Sequence, residues 1–240
     1  MITPLGAAGG SLYWYLTRST GAVALVLLTL ALVLGVLDVR RFSTPNWPRF
    51  LTDSLHRTSS LLALAFLVIH ILTSVLDSFA PISLTDAFIP FVGSYRPFWL
   101  GLGAVSFDLI LAVIVTSLLR ARMGYNTWRA VHWLTYASWP IALLHGFGTG
   151  SDVKSAWLMI LSVICLVAVL LAILSRVLDG WPHERAIRGA ALGGAGIFSL
   201  FLLLWLPGGP LGSEWPRRAG TPANLLPHHS QATSTSTGSH

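Results

Sequence analysis

Residues 56–70 read HRTSSLLALAFLVIH, and residues 132–145 read HWLTYASWPIALLH. Each stretch begins and ends with histidine, and Arg57 is the only other charged residue in either of them. Helical residues 14 positions apart are separated by about 21 Å along the axis, which is most of the ~30 Å hydrocarbon layer of a bilayer. The sequence therefore predicts two membrane helices, each with one histidine near either surface.

The composition of the whole chain is typical of a membrane protein. Its mean hydropathy is +0.70, and charged residues make up only 10%, compared with about 25% in soluble domains. Apolar runs close to the ~20 residues that cross a bilayer predict six spans, at residues 16–37, 58–76, 98–119, 130–147, 156–175 and 189–206. We expect an all-α six-helix transmembrane domain over residues 1–206. Residues 207–240, rich in Pro, Gly, Ser and Thr, are predicted to be a disordered extracytoplasmic tail.

Arginine is concentrated in alternate loops between these predicted spans. Residues 40–57, 120–129 and 176–188 carry most of the arginines, whereas the intervening loops carry one basic residue each, Arg96 and Lys154. Because basic residues favour the cytoplasmic side of a membrane, both termini are predicted to be extracytoplasmic in a multi-pass plasma-membrane protein.

This orientation places His56 and His132 near the cytoplasm and His70 and His145 near the exterior. It also explains the sequence pI of about 10.2, because the arginines mark membrane borders and form no continuous stripe for nucleic acid. A single histidine in a membrane helix often only hydrogen-bonds a neighbour. Four at matched depths point to function, since polar side chains are rare there.

We interpret the four histidines as axial ligands of two b-type haems. If the two helices are parallel, His56 faces His132 and His70 faces His145, and one haem fits between each pair. Two histidines fill both axial positions of the iron, so such haems relay electrons and do not bind a substrate at the metal. The alternative is a transporter or proton channel that uses the histidines without haem.

Helical periodicity tests which histidines share a helix face. Fourteen residues turn an ideal helix by about 1400°, some 40° short of four turns, so His56 and His70 lie on one face. Thirteen residues do not return His145 to the face of His132. The fourth span is therefore predicted to be distorted, and Pro140 is the expected cause.

The pair His56-Arg57 followed by His70, and the pattern WRxxH…P…HG over residues 128–146, resemble the ferric reductase-like transmembrane domain superfamily. That superfamily includes NADPH oxidases, ferric-chelate reductases and the haem subunit of the periplasmic methionine sulfoxide reductase system. The resemblance covers about residues 12–175. It implies two haems, with inner ligands His56 and His132 and outer ligands His70 and His145.

Oxidases and ferric reductases of the eukaryotic type continue into a cytoplasmic flavin and nicotinamide domain, but here the similar region is followed by the short segment 176–240, which includes another span. The resemblance therefore implies a separate electron donor, a quinol or a flavoprotein, with flavin only on a partner. The expected acceptor is an extracytoplasmic flavoprotein or a ferric chelate. The alternative function is a non-catalytic cytochrome b anchor at which quinol is oxidised.

Haem propionates need cationic partners at the membrane edge. Arg57 and Arg129 lie one and three residues from the inner ligands, and Arg18 and Arg96, with Tyr95, are the outer candidates. The alternative for each arginine is that it extends to the headgroups and sets topology.

For several further residues the sequence supports two interpretations. Phe66 and Trp139 lie at intermediate depth and either assist electron transfer or only pack. Asp108, within the third span, is expected to be neutral or paired, through a hydrogen bond to Ser106, Thr116 or another helix, or in a proton-transfer role. Three tail histidines either bind metal or bind nothing specific: His228, His229 and His240.

Overall fold

The computed structural model describes residues 11–40, 44, 47–150, 152–179 and 185–226. The described residues form nine α-helices: α1 (Leu12–Val39), α2 (Arg49–Leu76), α3 (Leu84–Phe88), α4 (Pro97–Leu118), α5 (Tyr125–His132), α6 (Thr135–Thr149), α7 (Ala156–Asp179), α8 (Arg185–Gly208) and α9 (Trp215–Arg218). Five of them are long and apolar enough to cross a membrane: α1, α2, α4, α7 and α8. The predicted all-α membrane class is confirmed.

The fourth predicted span, residues 130–147, is not one helix. It is divided between α5, of 8 residues, and α6, of 15 residues, which at ~1.5 Å per residue are about 12 and 22 Å long. The break lies at residues 133–134, directly after His132. Neither helix alone has the length of a full span.

The distortion of this segment lies before Pro140, which is itself accommodated inside α6. The N–H groups of Leu134, Tyr136 and Ala137 bond to carbonyls three residues earlier. Such turns rotate the chain by about 120° per residue, compared with 100° in an α-helix. Three such residues add about 60°, which is part of the roughly 140° by which thirteen residues of ideal helix fall short of four turns.

Helix α1 lies at the centre of the bundle and packs against α2, α6 and α7. Helix α4 packs against α6, and α8 packs against α7. Buried residues of α1, α6 and α7 dominate the core: Leu32, Val36, Trp139, Leu143, Phe147, Cys165, Val169 and Ala172. Helices α1, α2, α4 and α6 surround the histidines, so this part of the bundle positions the candidate site.

The two ends of the bundle differ in charge. The basic end carries the arginines at the C-terminus of α1, the start of α2, the end of α4, the end of α7 and the start of α8. Here Arg40 forms an ion pair with Asp179, and Arg188 donates to the carbonyl of Arg176 at 2.9 Å. At the opposite end, Ser11 donates to Asp77 at 2.8 Å.

The structure differs from the predicted disordered tail over residues 207–226. Helix α8 continues to Gly208, and α9 follows it with Trp215 buried. Trp215 donates its indole N–H to the carbonyl of Gly148 at 3.2 Å. This segment therefore packs on the opposite end of the bundle. The three tail histidines lie outside the described residues.

Arg96 holds this tail segment against the bundle. The residue is 4% exposed, and its guanidinium donates to Thr221 Oγ1 at 2.9 Å and to the carbonyls of Gly148 and Thr149 at 3.0 and 3.1 Å. Its own N–H donates to the Gly220 carbonyl at 3.0 Å. One side chain thus ties α4, α6 and the tail together.

We expect Arg96→Leu to release residues 209–226 from the bundle. The variant loses charge-assisted hydrogen bonds of about 1.5–3 kcal/mol each, partly offset by the removal of a buried charge. Amide exchange and limited proteolysis of the tail segment should both accelerate, with little change in α1 and α2. Unchanged exchange over residues 209–226 would contradict the role assigned to Arg96.

Candidate haem-binding site

The histidines of α2 each face one histidine of the α5–α6 segment. The ring centres of His56 and His132 are 6.3 Å apart, and those of His70 and His145 are 6.4 Å apart. The first pair forms the basic-end site and the second the opposite-end site. His56 and His70 are fourteen positions apart, which separates the two sites by about 21 Å along α2.

Three of the four imidazoles are oriented by backbone carbonyls. His56, His70 and His145 donate from Nδ1 to the carbonyls of Ala31, Thr17 and Trp99, at 2.8, 2.8 and 2.9 Å respectively. A carbonyl only accepts, so Nδ1 carries the proton and Nε2 keeps its lone pair. This is the usual arrangement of a histidine that binds a metal.

Each of these carbonyls is followed one helical turn later by a glycine on the same face. A Cβ placed on Gly35, Gly21 or Gly103 would lie 3.3, 3.0 or 2.5 Å from the ring of His56, His70 or His145 respectively. The missing side chains let the rings approach the helix backbone. We call each combination of carbonyl and glycine a cradle.

Sequence reasoning missed these cradles, although α1 contains a signal for them. Gly21 and Gly35 have the same separation along the chain as His56 and His70. Because α1 and α2 are antiparallel neighbours, the glycines meet the histidines in reverse order. Matched spacings of glycine and histidine on adjacent spans thus predict ring–backbone contacts.

The fourth ring, that of His132, is held differently. Its Nδ1 is buried and has no hydrogen-bond partner among the described residues. The indole of Trp128 stacks on it, with ring centres 5.1 Å apart. Trp128 in turn donates to Ser117 Oγ at 3.3 Å.

The spacing of both pairs fits two imidazoles on one metal ion. A metal–nitrogen bond of about 2.0 Å, with the nitrogen about 1.1 Å from its ring centre, places the two centres about 6.2 Å apart. The observed 6.3 and 6.4 Å agree with this value. Each site supplies two nitrogen ligands, a set that suits a metal whose remaining ligands belong to a prosthetic group.

A cavity of about 290 Å³ adjoins the opposite-end site and is lined by both of its histidines. Arg18 and Tyr95 also line it. Arg18 forms an ion pair with Asp152, and its guanidinium lies 3.8 Å from the ring centre of Trp14. This cavity therefore combines apolar walls with a polar rim, in which Arg18 and Tyr95 lie beside the carboxylates of Asp77, Asp86 and Asp152.

Tyr95 is a buried residue, 6% exposed. Burial raises the pKa of its hydroxyl, and the charges of Arg96 and Arg18 oppose that shift without cancelling it. The hydroxyl therefore remains a hydrogen-bond donor at neutral pH.

Arg96 does not join this site. Its guanidinium donates to Thr221 and to the carbonyls of Gly148 and Thr149, and it is not among the cavity-lining residues. The folded-back tail thus takes up Arg96 in this structure, and its sequence interpretation as a propionate partner stays a prediction.

The arginines predicted beside the inner ligands lie at the surface of the basic end. Arg57 and Arg129 are both exposed, and the guanidinium of Arg129 is 5.8 Å from the ring centre of Trp133. Their place in the chain, next to His56 and one turn before His132, keeps them close to the basic-end site.

The predicted hydrogen bonds of Asp108 to Ser106 and Thr116 are not found in the described part of the chain, and Asp108 is partly exposed within α4. Ser106 donates to the Ser138 carbonyl at 2.9 Å, and Thr116 donates to the Ala112 carbonyl at 2.7 Å. Both hydroxyls are thus satisfied by backbone.

Trp139 lies between the two sites along α6. It is 3% exposed and donates its indole N–H to Thr29 Oγ1 at 2.8 Å. Phe66, on α2, is partly buried. Trp139 is therefore a fixed part of the core at the depth between the histidine pairs.

Comparison with known proteins identifies the family. The family model described as "Ferric reductase like transmembrane component" matches residues 20–143, which is more than half of the 240-residue chain. The matched region contains His56, His70 and His132 and ends two residues before His145. No curated protein and no solved structure matches the chain significantly. The chain belongs to the family of ferric reductase-like transmembrane components, whose members generally bind haem.

Proposed function

We propose that the protein binds two b-type haems, one at each histidine pair, and transfers single electrons across the membrane between separate redox partners. The observation that carries the proposal is the spacing of 6.3 and 6.4 Å between paired imidazoles. The Nδ1 donors of three of them support it, because they leave Nε2 available for iron. Each haem would supply a one-electron ferric–ferrous couple.

The chain itself contributes ligation, orientation and an apolar environment. His56 and His132 would hold one haem at the basic end, and His70 and His145 the other. Because two histidines would hold each haem, its iron would have no free position for a substrate, and the haem would supply only electron transfer to an acceptor. The buried indole of Trp139 fills the space between the sites and keeps water out of the path.

Arg18 and Tyr95 are the propionate partners that we propose for the opposite-end haem. Both line the cavity beside His70 and His145, and an arginine with a protonated phenol suits a carboxylate. Arg57 and Arg129 are proposed for the haem at the basic end on the basis of their place next to the ligands.

The distribution of arginines favours a cytoplasmic basic end. In that orientation in the plasma membrane, both ends of the described chain are extracytoplasmic. We propose that a quinol or a reduced flavoprotein delivers electrons and that an extracytoplasmic flavoprotein or ferric chelate receives them. Any flavin then belongs to a partner.

Transmembrane transfer is tested in lipid vesicles that enclose a membrane-impermeant ferric chelate and contain the haem-loaded protein. Dithionite added outside should reduce the enclosed iron, whereas vesicles without protein should stay oxidised. Reduction no faster than in protein-free vesicles would contradict the proposal. A short-chain menaquinol and a reduced flavoprotein, offered separately in place of dithionite, distinguish the two donor classes.

A further inference from the structure

The three cradles on α1 and α4 predict where a fourth cradle, for His132, would lie. On α1 the glycines that support histidines are Gly21 and Gly35. On α4 the supporting glycine is Gly103, and the same step along the chain leads from it to Ser117. The corresponding carbonyl is that of Val113, which accepts the Thr116 hydroxyl at 3.2 Å and, among the described residues, no hydrogen bond from His132.

At His132 a serine and a stacked indole thus take the place of the carbonyl and glycine. Ser117 carries a side chain where the other three sites have glycine, and it accepts the indole N–H of Trp128. Trp128 lies one turn before His132 on α5, on the same helix face, and stacks on its ring at 5.1 Å with an interplanar angle of 30°. Stacking fixes the ring plane without providing an acceptor for Nδ1.

Resting on the proposed function, we infer that Trp128 and Ser117 are positioning residues for His132, and that the basic-end site holds its haem less tightly and at a higher reduction potential than the opposite-end site. A hydrogen bond from Nδ1–H to a carbonyl makes the imidazole a stronger donor to iron and stabilises the ferric state. Three histidines have this bond, and His132 has no Nδ1 partner among the described residues. The asymmetry therefore lies in the protein and not in the cofactor.

A potentiometric titration of the two-haem protein should show two waves. His132→Ala should remove the wave at higher potential, and His145→Ala the wave at lower potential. The EPR spectrum of the wild-type protein assigns each wave to a site without any variant, since the signal of low-spin ferric haem reports the angle between its two imidazole planes. The more anisotropic signal, from the pair at 86°, should be lost at the lower potential, and the signal from the pair at 68° at the higher one.

Trp128→Leu should accelerate haem transfer from the basic-end site to apomyoglobin about tenfold, the lower end of the effects expected when a residue that orients a metal ligand is lost. The opposite-end site should be unchanged, and Trp128→Phe, which keeps a stacked ring, should restore most of the retention. Phe50→Leu is the control, because Phe50 is an exposed aromatic side chain at the same end of the bundle and should affect neither site.

Two potentiometric or kinetic results would each overturn this inference. The first is a higher-potential wave that belongs to the opposite-end haem. The second is a Trp128→Leu protein whose rate of haem transfer from the basic-end site is within about twofold of wild type. Equal acceleration at both sites would also overturn it, since that is the effect of general destabilisation. A preparation without two haems contradicts the proposed function itself, and the two failures are therefore distinguishable.

Discussion

His145→Ala is expected to lower the haem content from about two to about one per chain and to abolish electron transfer across the bilayer. His145 provides half of the protein ligands of the opposite-end site, and its ring centre is 6.4 Å from that of His70. The remaining haem would be held at the other end of α2, about 21 Å away. Haem content by pyridine haemochrome and reduction of a vesicle-enclosed ferric chelate measure both effects.

A glycine of α8 provides the control for this variant. A Cβ on Gly194 would meet nothing within 4 Å among the described residues, and Gly194 does not line the cavity, so Gly194→Ala should keep both haems and full transfer. The His70→Ala variant should match His145→Ala, because the two residues serve one site. A His145→Ala protein with two haems and undiminished transfer would show that the ligands are assigned wrongly.

Gly103→Ala should cause the second largest loss, although it changes no ligand. The added Cβ would lie 2.5 Å from Nδ1 and Cε1 of His145, closer than packed atoms allow, so the ring must move away from its acceptor carbonyl. We expect the affinity of the opposite-end site for haem to fall about 10- to 100-fold. Haem titration of the apoprotein measures this affinity.

Alanine scanning of the other cradles should give a graded series. The Cβ contact is 3.0 Å for Gly21 and 3.3 Å for Gly35, so Gly21→Ala should weaken haem binding less than Gly103→Ala, and Gly35→Ala should weaken it least. Alanine is the better helix former by about 1 kcal/mol, so a loss cannot be attributed to a weakened helix. Equal affinities in all three variants would contradict the proposed contacts.

The membrane class and the histidine pattern were predictable because they depend on composition and helical spacing alone. Apolar runs and the interval between His56 and His70 contain this information locally. The break after His132 was not predictable in detail, since Pro140 is the visible helix breaker and the observed turn comes earlier. Its three short-range hydrogen bonds lie just before Pro140, where a proline disturbs a helix, but the sequence does not determine which residues form them.

The surroundings of the site depend on contacts between distant segments, and here the sequence was less informative. Arg96 was interpreted as a propionate partner because it lies near the predicted outer surface, but Thr221 and the carbonyl of Gly148 occupy its guanidinium. The same fold-back orders part of the predicted tail. The contact of Gly103 with the ring of His145 likewise joins segments that are distant in the sequence.

The central claim is that each histidine pair binds one haem, and the most direct test is the haem-to-protein ratio of the purified wild-type protein. Expressed with sufficient haem and purified in mild detergent, it should contain about two b-type haems per chain by pyridine haemochrome. Its spectrum should be that of low-spin bis-histidine iron, with a sharp α-band on reduction. A colourless protein, or one with a single haem that neither His56→Ala nor His145→Ala removes, would contradict the account.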